Sequence, residues 1–533
     1  MTLPPHVAET VAGACCSLGC MSGSAGAVAF AAPVASLPSR ASLSLASLSP
    51  RSAPASPGVL LRWAWQPGGA AAALAVLASS RLARRSRRDL RREAIETRRR
   101  GVVAMAAGVG DRRVVVTGMG IVSPLGITLD DVASSLQEGK SGISFSEDHA
   151  HYGLKSQVVG RPPLSDDELK ELIPRKALRF IGPNAQYMFI SLERAIADAG
   201  LEEKHYAGNP RCANITGQGG TSMADIAEAD EAMQKHGPWA DNKWGRKMGP
   251  YRVTRTMGSA SSAVLSSWFK IQGPSYSLSA ACSTGAHCIG HGMEQIQLDK
   301  VDISFVGAGE EIGWEFSSMF DAMGSLSSNF NETPSKASRP LDKNGDGFVF
   351  AGGGGMLVLE ELEHAKARGA KIYAELVGYG SAADGFDVLN TSGVGCERSM
   401  RIALEMADSV AGAKPVDYVN MGATGVRAND EQEAEAVKRL FAEKGYRPYV
   451  GSTKSLSGNA LAAAGVHEAI YALLMINGGF LARLTNVDDP IDAAQDMNLL
   501  VEGYSGPLQR VMLNSVGFGG TNASLVFDKW TGS

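Results

Sequence analysis

The stretch Pro274–Gln297, PSYSLSAACSTGAHCIGHGMEQIQ, decides the fold. Tyr276 to Ala281 reads as a buried strand of small and apolar residues. Directly after it Ala286, Ile289, Met293 and Ile296 recur at helical spacing. Cys282 therefore falls at a strand-to-helix turn. First-turn N–H groups and the helix dipole favour negative charge there, which predicts a thiol easier to ionise and a site able to hold an oxyanion. That is how a protein prepares a nucleophilic cysteine; a small apolar filler beneath the helix is the plainer alternative.

Outward from this segment, candidate strands are Arg113–Gly118, Ala213–Gly217, Ile303–Gly307 and Phe348–Glu360. A second set comprises Lys371–Gly378, Asp417–Met421, Tyr449–Ser452, Arg510–Asn514 and Ala523–Phe527. Helical patterns lie between them; one, Ala185–Ala199, sets Met188, Phe189, Leu192, Ala195 and Ile196 on one face. Strands alternating with helices predict sheets covered on both faces. Two such sets in a chain of 533 residues predict two α/β halves related by duplication, residues 111–366 and 367–533.

Residues 1–110 are different in kind. They hold 13 Arg, no Lys and four acids, a charge of +9, whereas the rest of the chain carries −13. Composition rich in Ala, Ser and Arg and poor in acids is that of an organelle targeting segment. Ten arginines between Arg81 and Arg100 could instead bind nucleic acid, but the acidic body has no basic patch to join them, so no nucleic-acid partner is expected. The apolar run Gly68–Ala78 is too short to cross a bilayer, which needs about 20 residues, and no stable membrane span is expected. Beyond this segment Cys212, Cys282, Cys288 and Cys396 remain, with no metal-type spacing, as in a reducing compartment.

Seven strings in order, RRVVVTGMGIVSPLG, ACSTGAHCIG, EQIQLDKVDI, the long run KASRPLDKNGDGFVF to ELVGYG, STKSLSGN, GVHEAIYALLMINGGF and NSVGFGGTNASLVF, carry a resemblance. From Arg112 to Phe527 the chain resembles the β-ketoacyl-[acyl-carrier-protein] synthases, type I branch. The resemblance implies a thiolase-like fold, two stacked halves in α-β-α-β-α layers with the site between them, and usually a homodimer. It implies acyl transfer in fatty-acid synthesis: loading of Cys282 from acyl carrier protein, then decarboxylative condensation with malonyl-carrier. No cofactor or metal is implied, since the acyl groups ride on the carrier's phosphopantetheine arm. A plastid destination is implied for the leader, with the mitochondrion as the alternative.

The resemblance also exposes two substitutions. Enzymes of this branch carry one histidine in a string like N-A-H-G-T-S-T and another in S-T-K-x-x-x-G-H. Here Gly422 and Asn459 hold those positions. An amide N–H at Asn459 can still donate; Gly422 offers no side chain. By the same resemblance Phe518 and Cys282 supply the oxyanion amides and the Phe518 ring gates the acyl pocket. Lys454, Asp430 and Glu433 form the supporting charge network, and Thr424 meets the pantetheine arm, its second threonine partner having become Val426. Loading, which needs only thiolate, oxyanion hole and carrier docking, is expected to survive better than condensation. A condensation-impaired paralogue, acting in acyl transfer or as the heterodimer partner of an intact synthase, and a noncatalytic carrier-binding scaffold are the alternatives.

Other motifs resolve differently. Gly352–Gly355 lacks the Lys-Ser/Thr of a phosphate loop and is expected to be close packing in a strand. Asp342, Asn344, Asp346 and Gly347 open like a calcium loop, but Gly353 stands where a bidentate Glu is required, so calcium is not expected. Among the histidines His287 is expected in the core, His291 and His467 on helices, and His149, His151, His205, His236 and His364 in loops or at the surface; none is a strong replacement for the missing imidazoles.

Overall fold

The structure, a computed structural model, describes residues 112–238 and 240–532; residues 1–110, expected to be a targeting segment, lie outside them. The first half supplies strands β1 (Val114–Val122), β2 (Cys212–Gln218), β3 (Ser275–Leu278), β4 (Ile303–Glu310) and β5 (Gly353–Glu361). Its main helices are α1 (Pro183–Asp198), α2 (Ala260–Phe269) and α3 (Thr284–Gln297). The second half supplies β6 (Ala374–Ala383), β7 (Tyr418–Asn420), β8 (Tyr449–Gly451), β9 (Arg510–Gly517) and β10 (Thr521–Lys529). Its helices are α4 (Val394–Ala411), α5 (Arg427–Lys444) and α6 (Ala464–Gly478).

The duplication expected from the pattern is explicit in the sheet. Spatial order in the first half is β1-β5-β4-β2-β3 and in the second β6-β10-β9-β7-β8, the same order of first, fifth, fourth, second and third strand. Pairing types repeat as well: antiparallel, antiparallel, parallel, parallel. So does the closest helix-to-strand approach. A Cβ on Gly120 of β1 would stand 1.9 Å from the Ser191 oxygen of α1, and one on Gly380 of β6 would stand 1.9 Å from the Ser399 oxygen of α4. Both contacts use a bare backbone to let an outer helix sink onto a central strand.

The two sheets are not separate. β1 and β6 pair antiparallel through Val115 with Glu375 and Val116 with Ala374, and the seam is clasped by an Arg113–Glu375 ion pair at 2.7 Å. With the two-residue strand Asn498–Leu499 the run counts 11 strands. Between the sheets lie α3 and α6, which meet where a Cβ on Gly285 would be 2.7 Å from the Val466 amide and one on Gly465 would be 2.6 Å from the Ala286 amide. The segment Leu461–Gly478 is long and apolar enough to cross a membrane, but 83% of it is buried inside the protein, as a middle layer covered on both faces must be.

Three sequence expectations need correction. The strand before Cys282 ends at Leu278, because the backbone turns sharply at Ala281, which has φ of 48°. The strand expected from Phe348 begins at Gly353; Phe348, Phe350 and Ala351 form single bridges instead, that of Phe350 to Asn459. His149 is buried, with Nδ1 3.0 Å from the Ser156 carbonyl oxygen, because its short helix folds inward. Gly353–Gly355 do lie in a central strand against Tyr187, Val466 and His467. Asp342 spends its carboxylate on Arg339 and on the amides of Asn344, Asp488 and Asp489.

Candidate active site

The turn that presents Cys282 is built from its own short side chains. Thr284 accepts the Ala280 amide at 2.8 Å and donates to the Ala281 carbonyl at 2.7 Å, and Ser283 donates to the Ala280 carbonyl at 2.8 Å. These bonds hold Ala281 in the left-handed region, a conformation that costs about 1–3 kcal/mol and is kept where surroundings over-determine it. Cys282 is thereby lifted out of strand direction to the head of α3, half-buried beside Phe348, Phe350 and Leu461. Burial pushes the thiol above its ordinary pKa; the Asn459 amide and the Lys454 charge pull it back without offsetting the desolvation. The expectation of an easily ionised thiol is thus reversed, because an enclosed sulfur loses more hydration than a nearby helix end and one donor restore.

Asn459 is oriented from both sides. Its backbone is stitched to the Val349 carbonyl at 2.8 Å and the Ala351 amide at 3.0 Å. Its Oδ1 accepts the Leu461 amide at 3.1 Å, which leaves Nδ2 to point at Cys282 Sγ, 3.7 Å away. Opposite lies the glycine-rich turn. A Cβ on Gly517 would approach the Cys282 nitrogen to 3.2 Å, so the turn carrying Phe518 sits against the backbone of the nucleophile. Gly519 donates to the Val388 carbonyl at 2.7 Å and Gly520 to the Gly517 carbonyl at 3.1 Å, fixing that turn.

Cys282, Gly422, Thr424, Glu433, Asn459 and Phe518 line one cavity of about 50 Å³. Gly422 contributes only backbone to it. Its amide donates to Glu433 Oε1 at 2.8 Å, and Asn514 Nδ2 donates to the same oxygen at 2.5 Å. Asp430, one turn earlier on α5, accepts the amides of Thr424, Gly425 and Leu341 at 2.9, 2.9 and 3.0 Å. Burial raises Asp430 to about 6 and Glu433 to about 7. The two acids therefore shape the loop that follows β7 through its backbone.

Lys454 is buried and pairs with Glu468 of α6. Three site-forming residues escaped the sequence reading: Glu468, Asn514 and Glu310. A single acid inside the apolar run GVHEAIYALLMI was the available signal for Glu468. Glu310 caps the end of β4; its Oε2 accepts the amides of Gly219 and Ala462 at 3.1 and 3.2 Å, and burial lifts it to about 8. His287 bonds Tyr379 at 2.8 Å and Thr521 at 3.1 Å, and burial lowers it to about 4, so it is a neutral group on the packed face of α3.

A cysteine lifted to a helix head, faced by an amide donor and a glycine-rich turn, within a duplicated five-strand fold, defines a cysteine acyltransferase site. Family models bear on the same residues: the N-terminal domain of β-ketoacyl synthase matches residues 111–365 and the C-terminal domain residues 373–488. The chain is 47% identical over 418 residues to 3-oxoacyl-[acyl-carrier-protein] synthase 1 of Escherichia coli (strain K12), covering 78% of this chain and 99% of that one. A solved β-ketoacyl synthase from Burkholderia phymatum STM815 superimposes with a TM-score of 0.71 at 30% identity, over 79% of this chain and all of that one. A type II polyketide ketosynthase bound to a hexaketide and in complex with its acyl-carrier protein does so with a TM-score of 0.69 at 28% identity, over 79% of this chain and 100% of that one. The chain belongs to the β-ketoacyl synthase family.

Proposed function

We propose that the protein is a condensing 3-oxoacyl-[acyl-carrier-protein] synthase of fatty-acid synthesis. The observation that carries this reading is Cys282 Sγ facing the Asn459 amide, 3.7 Å away, in a cavity shared with Thr424 and Phe518. An acyl-carrier delivers its chain to Cys282: the thiolate displaces the pantetheine sulfur, which leaves as the carrier thiol. The tetrahedral oxyanion is met by backbone amides at Cys282 and Phe518, groups that need no reorganisation when charge develops. Malonyl-carrier then loses carbon dioxide, and the enolate carbon attacks the Cys282 thioester, expelling thiolate and giving a 3-oxoacyl-carrier. Asn459 donates to the thioester oxygen that becomes the enolate. The carrier partnership is supported by the names of the similar proteins and by the acyl-carrier complex of the polyketide ketosynthase.

Purified protein given acyl-carrier, then malonyl-carrier, tests this by mass spectrometry. An acyl adduct on Cys282 followed by an extended 3-oxoacyl product is the expected result. An adduct without extension would confine the protein to acyl transfer, and no adduct would remove the enzymatic reading.

Two further readings belong to the same proposal. The composition of residues 1–110 supports import into a plastid stroma; a fusion of those residues to a fluorescent reporter tests it against mitochondrial import. A homodimer is supported by β3, a four-residue strand at the end of the sheet, and by Met319 and Met323, 52% and 48% exposed. Sedimentation of the chain alone at twice the monomer mass is the expected outcome.

A further inference from the structure

Glycine at residue 422 uncovers a carboxyl group. A side chain there would start 3.5 Å from Glu433 Oε1 and lie across it; without one, Glu433 lines the same cavity as Cys282 and Asn459. Its hydrogen bonds are one-sided. Gly422 N–H and Asn514 Nδ2 both donate to Oε1, and Asn514 is held in that sense because its Oδ1 accepts from Ser524 at 2.8 Å. Among the described residues nothing donates to Oε2. A proton on Glu433 therefore resides on Oε2, with its O–H free for a ligand. Asp430 differs: both of its oxygens are taken by backbone amides.

We propose that Glu433, as a neutral carboxylic acid, donates its Oε2–H to the malonyl thioester oxygen and so serves as the second enolate-stabilising donor beside Asn459. This rests on the condensing function proposed above. The C–C bond to the carboxylate breaks, its electron pair passes into the enolate, and carbon dioxide leaves. The enolate oxygen is held by two hydrogen bonds, and its carbon then bonds the acyl carbon of the Cys282 thioester while the C–S bond breaks to give thiolate. Glu433 returns with its proton; the thiolate is reprotonated from water or is reacylated.

The surroundings keep the acid form available. Burial raises Glu433 to about 7 against the lowering effect of the Asn514 and Gly422 hydrogen bonds; Asp430 on the same helix adds to the rise, and Lys454 opposes it more weakly. Lys454 is itself engaged by Glu468, and Cys396 of α4, pushed up by burial, faces Glu433 as a neutral thiol. Cys282 across the cavity is raised as well.

The test is release of carbon dioxide from malonyl-carrier by the full chain, followed from acidic to alkaline pH, with the acyl adduct on Cys282 recorded by mass spectrometry for every variant. The rate of the unaltered protein is expected to fall as pH rises through about 7. Glu433→Gln keeps an N–H donor and is expected to lose that step while retaining decarboxylation; Glu433→Leu is expected to lose about 100-fold at acidic pH. A Gln variant that keeps the parental fall, or a Leu variant with undiminished rate, overturns the proposal. Should Leu fail to form the adduct and so prove misfolded, the Gln profile decides alone. Adduct without carbon dioxide release from the unaltered protein overturns the condensing function and this inference with it, whereas release that the Glu433 variants leave unaltered overturns this inference only.

Discussion

Asn459 Nδ2 faces Cys282 Sγ at 3.7 Å while Asn459 Oδ1 is tied to the Leu461 amide at 3.1 Å. The amide can therefore present only its N–H side to the sulfur. A donor favours thiolate over thiol, against the desolvation that raises the group. In the proposed condensation the same N–H would serve the thioester oxygen, which would give one side chain a role in both half-reactions.

Removing that donor separates the effects. Asn459→Ala is expected to raise the Cys282 pKa further above its ordinary value and to displace the pH profile of iodoacetamide alkylation toward alkaline pH. Condensation should fall by about 100-fold, the usual consequence of losing one preorganised donor. Asn459→Asp should slow alkylation more, since a carboxylate repels the thiolate. Unchanged alkylation profiles in both variants would show that Asn459 does not act on the sulfur.

Gly422→His is expected to gain activity. A Cβ on Gly422 would meet the Asn514 oxygen at 3.2 Å, the Val516 nitrogen at 3.3 Å and Glu433 Oε1 at 3.5 Å, contacts met by shifts of a few tenths of an ångström. Its φ is not among the left-handed ones, so the backbone already suits a side chain. An imidazole there would cover Glu433 and donate in its place. Because neutral imidazole keeps an N–H where Glu433 has ionised, the rate of 3-oxoacyl product formation above about pH 7 is expected to rise by about 10- to 100-fold while Cys282 loading is little altered. Equal rates in the two proteins would mean that this position does not limit condensation.

Glu310 makes the fold sensitive to pH. Its carboxyl is raised from 4.5 to about 8 by burial, so the folded state binds its proton more tightly than the unfolded state does. The stability this contributes is full below the unfolded value and is lost as pH rises toward about 8. Glu310→Gln keeps an oxygen for the Gly219 and Ala462 amides and cannot ionise. Thermal unfolding should therefore show the parent losing stability relative to the Gln variant between about pH 5 and about pH 8. A difference constant across that range would place the charge elsewhere.

What the sequence disclosed follows from what periodicity encodes. Small residues before Cys282 and a 3.6-residue apolar repeat after it locate a strand, a turn and a helix, and Gly422 and Asn459 are located by their flanking strings. Periodicity carries no dihedral at Ala281 and no partner for Lys454, whose Glu468 lies 14 residues on and across a different element. The direction of the thiol shift depends on how much water the fold removes, which is a property of packing around Phe348, Phe350 and Leu461. Continuity of the sheet across β1 and β6 rests on two residue pairs, too few for a pattern to register.

The duplication itself can be tested at its two equivalent contacts. Gly120 and Gly380 each present a bare backbone where a Cβ would stand 1.9 Å from the carbonyl oxygens of Ser191 on α1 and Ser399 on α4. Neither has a left-handed φ, so alanine is opposed by the neighbouring helix and not by its own backbone. Gly120→Ala and Gly380→Ala should each destabilise the protein by about 1–3 kcal/mol, the usual range for overpacking a closed core. If the halves are mechanically equivalent, the two losses should match within about 0.5 kcal/mol and add in the double variant, since the sites share no partner. Denaturant unfolding of the three variants measures this, and a tolerated alanine in one half alone would show that its outer helix is free to slide outward while the other is pinned.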